Sequence, residues 1–145
     1  MATLLIVDDD ILVRDMLREL LSPVHECHTA DRAQQALAYL DIETYDAVLT
    51  DLSMPGLSGR ALLKHIQAKH SATPVIVITG VFDESEREEL LNLGAFAYFT
   101  KPFQLEQIEE TVLRAIARHQ KLASLNEGEG TTESIPSAAD TDVSS

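Results

Sequence analysis

The sequence has no tryptophan, one cysteine and few aromatic residues of any kind, 5% in all. A single thiol, Cys27, excludes an internal disulfide. With no second thiolate it also excludes a cysteine-built metal site, so Cys27, between His25 and His28, reads as a small strand residue without chemistry. Basic residues are scarce: 11 Lys and Arg stand against 24 Asp and Glu, for a formal net charge of −13. Such a chain repels phosphate backbones and anionic lipid, so its expected partners are cations or basic protein surfaces rather than nucleic acid or membrane. Long apolar runs are missing as well. None approaches the ~20 residues that span a bilayer, and Met1-Ala2-Thr3 offers neither the basic segment nor the cleavage site of a signal peptide. A cytoplasmic protein is expected.

Five short apolar runs are present: Leu4 to Val7, Val24 to Thr29, Ala47 to Leu49, Val75 to Ile78, and Ala95 to Phe99. The first, third and fourth are continuous and branched, the pattern of strands buried on both faces. Between them lie stripes with helical period: Val13, Met16, Leu17, Leu20 and Leu21; Ala33, Ala36, Leu37 and Leu40; Leu62, Leu63 and Ile66; Leu90, Leu91 and Leu93; and Leu105, Ile108, Val112 and Ile116. These are core faces. Asp31 with Gln34, and Asp83 with Glu86, fit capping boxes, while Pro23 and Gly94 fit helix ends. Each connection is long enough for a crossover helix, so the strands run parallel. The expected fold is α/β: a doubly wound (βα)5 unit with helices on both faces of a five-stranded sheet. Residues 1–123 form this domain. The stretch 124–145 has five acidic residues, no basic one and no apolar periodicity, and is expected to be a disordered acidic tail or linker.

Ligands of an open parallel sheet bind beyond the carboxyl ends of its strands. The first run ends in Asp8-Asp9-Asp10, the third in Asp51, the fourth in Thr79 and the fifth in Lys101. Alone, each has an ordinary reading as a cap or turn residue. Together, at one sheet edge, they assemble carboxylates that repel one another unless a cation intervenes. The natural cation is Mg²⁺, with Mn²⁺ as an alternative, since the set is all oxygen. A carboxylate nucleophile, a metal, a hydroxyl and an ammonium are the parts needed to move a phosphoryl group onto an aspartate.

The motifs Leu4-Leu-Ile-Val-Asp-Asp-Asp10 with Arg14, Asp51-Leu-Ser-Met-Pro-Gly56, Ile78-Thr79-Gly80, and Gly94-Ala95 leading to Tyr98-Phe-Thr-Lys101-Pro102-Phe103 resemble those of the receiver domains of two-component response regulators, over roughly residues 3–120. The resemblance implies a flavodoxin-like strand order 2-1-3-4-5 and a phosphoacceptor role for Asp51. It implies that Asp8, Asp9, Asp51 and the Ser53 backbone carbonyl hold the metal, and that Thr79 and Lys101 contact the phosphoryl group. It further implies a cis Lys101–Pro102 peptide and a switch in which Thr79 moves toward the phosphate and Tyr98 turns inward. The donor would be a phosphohistidine of a sensor kinase or phosphotransfer protein. Output would pass through the face built by the fourth helix, fifth strand and fifth helix, to a protein partner or to a second copy in a phosphorylation-dependent homodimer. Ser53 and Val81 occupy positions that tune phosphate lifetime in that family. Apolar Val81 cannot orient water, which implies slow self-dephosphorylation.

Other readings compete. Asp8-x-Asp10 resembles the nucleophile motif of haloacid-dehalogenase-like phosphatases, with Asp8 as nucleophile and Asp10 as general acid, but no cap domain fits this length and Asp51 would go unexplained. The chain is expected not to be an enzyme beyond accepting and losing its own phosphoryl group. It reads either as a stand-alone receiver or as a fragment of a larger regulator or hybrid kinase. The five histidines read as solvated-face residues. Glu84, Glu86, Glu88, Glu89, Glu106, Glu109 and Glu110 make an acidic surface that is either a solvated face or a docking site for a basic partner.

Overall fold

A computed structural model describes residues 2–54 and 56–132. Strand and helix alternate as β1 (Thr3–Val7), α1 (Ile11–Leu21), β2 (Glu26–Ala30), α2 (Ala33–Ile42), β3 (Ala47–Asp51), α3 (Gly59–Lys69), β4 (Val75–Thr79), α4 (Glu84–Asn92), β5 (Ala97–Thr100) and α5 (Leu105–Thr132). All strand pairs are parallel, in the order β2-β1-β3-β4-β5. The chain reverses direction across the sheet between β1 and β3, which opens a crevice at their carboxyl ends.

The continuous apolar runs are buried because the two faces of each strand serve separate cores. Leu5, Val7, Val48, Val75 and Val77 pack with Leu40 of α2, Leu62, Leu63 and Ile66 of α3, and Leu90 of α4. Leu4, Ile6, Leu49, Ile76 and Ile78 pack with Leu17 and Leu21 of α1 and Ile108, Val112 and Ile116 of α5. Each such side chain stabilises the fold by roughly 1.5–3 kcal/mol relative to exposure. The stripes are narrower than the sequence pattern implies: Met16 and Leu105 are exposed, as is Val24 ahead of β2. Only Leu90 of α4 is buried, so this helix has little apolar purchase on the sheet. No helix among the described residues is long and apolar enough to cross a membrane.

The helix ends separate good local signals from poor ones. Asp83 accepts from the Glu86 N–H at 3.2 Å, as its half of a capping box predicts. Gly94, at φ 110, closes α4: its N–H donates to the Leu91 carbonyl and that of Ala95 to the Leu90 carbonyl, each at 3.0 Å, a Schellman pair that needs a left-handed residue. The Asp31–Gln34 box does not form. Arg32 is the N-cap, so Gln35, not Gln34, reaches the third helical position and accepts from the Asp31 N–H at 3.0 Å. Helix α5 continues to Thr132, past residue 123, where the apolar stripe ends; no proline interrupts it before Pro136. The remainder of the expected tail, 133–145, lies outside the described residues.

The histidines depart from the expected solvated faces, being buried or half-buried throughout. His119 Nδ1 lies 2.8 Å from Asp46 Oδ1, and Asp46 Oδ2 accepts from the Thr3 N–H at 2.8 Å. These bonds pin α5 to the start of β1. His28 bridges the Tyr45 hydroxyl and Glu26, at 2.7 Å each.

Candidate functional site

Parallel pairing fixes which residues meet at the sheet edge. Val7 stands beside Thr50, Asp51 beside Ile78, and Thr79 beside Thr100. The residues ending or following these strands therefore crowd one crevice. Asp8, Asp9 and Asp51 each bring a carboxylate oxygen within 4.8 Å of the other two. Asp8 and Asp51 are buried, at 2% and 6% exposure, whereas Asp9 is exposed. Lys101 reaches in from the end of β5, its Nζ 3.1 Å from Asp8 Oδ2 and 3.6 Å from Asp51 Oδ1. The Lys101–Pro102 peptide is cis.

Backbone donors hold the buried carboxylates in place. The Asp10 N–H donates to Asp8 Oδ1 and the Leu52 N–H to Asp51 Oδ1, each at 2.9 Å. Arg14, one helical turn away, donates from Nη1 to the Asp8 carbonyl at 2.7 Å, fixing the loop from behind. Asp10 does not join the cluster. It caps α1 by accepting from the Leu12 N–H at 2.9 Å, which leaves the rival phosphatase reading without its general acid.

Burial, and then the neighbouring charge of Asp8, raise the Asp51 pKa above its ordinary value, with Lys101 opposing them. Burial alone would lower the Lys101 pKa, but its hydrogen bond to Asp8 and the charges of Asp8 and Asp51 outweigh that and raise it. Three carboxylates thus face one ammonium. The donor set is all oxygen, is short of positive charge and is open to water beside Asp9, where Asp9, Asp31, Arg32, Gln34 and Gly56 line a groove of about 410 Å³. This suits a hard, water-retaining divalent cation of the Mg²⁺ type, held by Asp8, Asp9 and Asp51. Ser53 lies exposed two residues beyond Asp51, in the loop that follows β3.

Thr79 ends β4 buried, but its hydroxyl serves the following loop: it donates to the Val81 carbonyl at 3.4 Å and accepts from the Val81 N–H at 3.3 Å. The half-buried Tyr98 converges on the same carbonyl, its hydroxyl 3.4 Å from Val81 O and 3.4 Å from Glu86 Oε1. Its ring meets Phe82 edge-on at 6.3 Å. Thr79 and Tyr98 therefore share one acceptor. Of the residues read from sequence, Asp8, Asp9, Asp51 and Lys101 form one cluster, while Thr79 and Tyr98 form a second, linked group.

Two residues of this region were not legible in the sequence. Gly59, the first residue of α3, lies so close that a Cβ would collide with the Asp51 carbonyl oxygen and sit 2.9 Å from the Leu52 Cα. A glycine directly after the helix cap Ser58 was the available signal. Arg60, next to it, pairs with Glu86 and Glu89 of α4, a contact across elements with no local signature.

Comparison with known proteins shows the family. The family model for the response regulator receiver domain matches residues 4–113. The DNA-binding transcriptional regulator NtrC of Salmonella typhimurium is 37% identical over 117 residues, covering 80% of this chain and 25% of that protein. The virulence transcriptional regulatory protein PhoP of Salmonella typhimurium is 30% identical over 125 residues, covering 86% of this chain and 56% of that protein. The chain thus spans a quarter of the length of the first relative and just over half of the second. Among solved structures, a response regulator receiver domain protein from Clostridium thermocellum superposes with a TM-score of 0.79 at 29% identity, covering 84% of this chain and 99% of that one. NtrX from Brucella abortus superposes at 0.80 with 30% identity, covering 86% of this chain and 29% of that one. The family model, these relatives and the shared fold show that the chain belongs to the response regulator receiver domain family.

Proposed function

We propose that the chain is a phosphoacceptor switch in which Asp51 takes a phosphoryl group from a phosphohistidine on a partner kinase or phosphotransfer protein. The observation that carries this reading is the convergence of Asp8, Asp9, Asp51 and Lys101 at one point. An Asp51 carboxylate oxygen attacks phosphorus, the phosphorus–nitrogen bond of the donor breaks with its electron pair going to the histidine, and an acyl phosphate remains. Asp8, Asp9, Asp51 and the Ser53 carbonyl would hold Mg²⁺, or Mn²⁺ in its place, which when bound neutralises charge on the transferring group. Lys101 neutralises another of its oxygens, and Thr79 donates to a third after leaving Val81. Because Thr79 and Tyr98 share the Val81 carbonyl, drawing Thr79 toward the phosphate frees an acceptor beside Tyr98 and lets its ring turn inward. The surface of α4, β5 and α5 then changes for a protein partner or a second copy.

The names of the relatives support a second reading of context. NtrC and PhoP are transcriptional regulators of which this chain covers a part; on this reading the domain would serve as the input module of a longer, cytoplasmic regulator. Nucleic-acid contact would then belong to other segments, since this acidic domain repels it. Incubation with acetyl phosphate, with and without Mg²⁺, followed by intact mass and size-exclusion chromatography, tests acceptor activity, metal dependence and assembly together. No phosphoryl gain under either condition contradicts the reading.

A further inference from the structure

We propose that Arg60 is a resting-state latch that holds α4 and, through Glu86, the outward position of Tyr98. Arg60 lies in the first turn of α3, directly after Gly59, whose backbone abuts the Asp51 carbonyl. Its Nη1 lies 2.6 Å from Glu89 Oε2 and its Nη2 3.6 Å from Glu86 Oε2, as charge pairs in which neither nitrogen makes an aligned hydrogen bond. The second oxygen of the Glu86 carboxylate faces the Tyr98 hydroxyl at 3.4 Å. One carboxylate therefore joins the aromatic side chain to a guanidinium rooted beside the phosphoacceptor.

The latch matters because only Leu90 and half-buried Leu91 pack α4 against the core. Leu90 is its only buried residue, and Glu84, Glu86, Glu88 and Glu89 give it concentrated like charge along its exposed side. Within the helix Arg87 offsets Glu84 at 3.8 Å, and Arg60 brings positive charge to Glu86 and Glu89 from outside it. Tyr98 cannot turn inward without leaving Glu86, and α4 cannot shift away from α3 without breaking the Arg60 pairs. Arg60 is a positioning residue: it acts on the switch through Glu86 and touches neither the phosphoryl group nor the metal. Because the ion pairs exist in the resting arrangement, they oppose whatever favours the active one. By linkage, weakening the latch strengthens binding of a phosphoryl mimic at Asp51 by the same factor. Half-exposed ion pairs are modest, so the expected factor is about two to five.

This inference rests on the phosphoacceptor reading for its consequence but not for its test. In the unphosphorylated, metal-free full chain, the Tyr98 ring resonances report the Glu86 contact directly. They are expected to shift in Arg60→Gln and Glu86→Gln, and to shift no further in the double variant than in Glu86→Gln alone. Added salt is expected to move the parent, but not Arg60→Gln, in the same direction. Beryllofluoride with Mg²⁺ is then titrated against parent and Arg60→Gln, with a two- to fivefold tighter midpoint expected in the variant. Unchanged Tyr98 resonances in a folded Arg60→Gln, or single-variant shifts that simply add, overturn the latch. Failure of the parent to bind beryllofluoride would instead count against the phosphoacceptor reading and leave the Tyr98 result to decide the latch.

Discussion

Asp51 sits where burial and the charge of Asp8 both work against its ionised form, with Lys101 the nearest compensation. A metal must compete with a proton for that carboxylate. Its raised pKa moves the competition upward, so Mg²⁺ affinity is expected to begin falling above the ordinary aspartate value of 3.8 as pH is lowered. Mg²⁺ titrations followed by NMR between about pH 7 and 4 check this, spanning roughly the ordinary aspartate range; a constant affinity across that range contradicts it. The same repulsion burdens the metal-free fold. Asp51→Asn keeps an oxygen for the Leu52 N–H and removes a charge, so the metal-free variant is expected to be more stable by about 1 kcal/mol in urea unfolding. Lys101→Met acts in two directions at once. Phosphorylation by acetyl phosphate should slow by about 10²-fold or more, while Mg²⁺ binds more tightly because a competing cation has gone. A variant that loses both activity and metal affinity would assign Lys101 a structural role instead. Exposed Val81 is expected to slow loss of the phosphoryl group relative to Val81→Glu; equal or faster loss from the parent removes that idea.

At the scale of elements, what was legible depended on whether the signal was local. The buried strands β1, β3 and β4 announced themselves as unbroken branched runs, and Asp8, Asp51 and Thr79 were found because each ends or follows one, while Lys101 follows the less buried β5. The capping residue Asp31 misled because helix entry shifted by one position, and a four-residue motif cannot tolerate that shift. Gly59 escaped because its constraint comes from the far side of a loop, where α3 meets the Asp51 carbonyl. Gly59→Ala must push that contact apart, and an overpacked position of this kind costs about 1–3 kcal/mol. The expected result is a lower urea midpoint together with slower phosphorylation. Wild-type phosphorylation in a destabilised Gly59→Ala would separate helix packing from acceptor geometry and contradict the link.

Across the whole molecule, two cores on opposite faces of the sheet supply the stability, and His25 adds a dependence on pH that the sequence did not reveal. A histidine in a polar setting looks solvated on paper; only the packing of β2 and α5 shows otherwise. His25 is buried with its Nδ1 unpartnered among the described residues, and burial lowers its pKa below 6.5. The unfolded chain therefore takes up a proton first as pH falls. The stability His25 contributes is full above about 6.5, its unfolded value, and is lost as pH drops through the window down to the folded pKa. The urea stability of the parent should fall between pH 7.5 and 5.5 by more than that of His25→Phe, values chosen to bracket roughly that histidine range. Equal slopes contradict the assignment.

The central claim is that these cores exist to hold one carboxylate in a metal-binding crevice as a phosphoryl acceptor. Treating the protein with acetyl phosphate and Mg²⁺, reducing the acyl phosphate with borohydride and locating the reduced residue by mass spectrometry tests it most directly. The account predicts a single modified residue, Asp51, with no modification when Mg²⁺ is withheld or in Asp51→Asn. Modification at Asp8, or none at all, would contradict it.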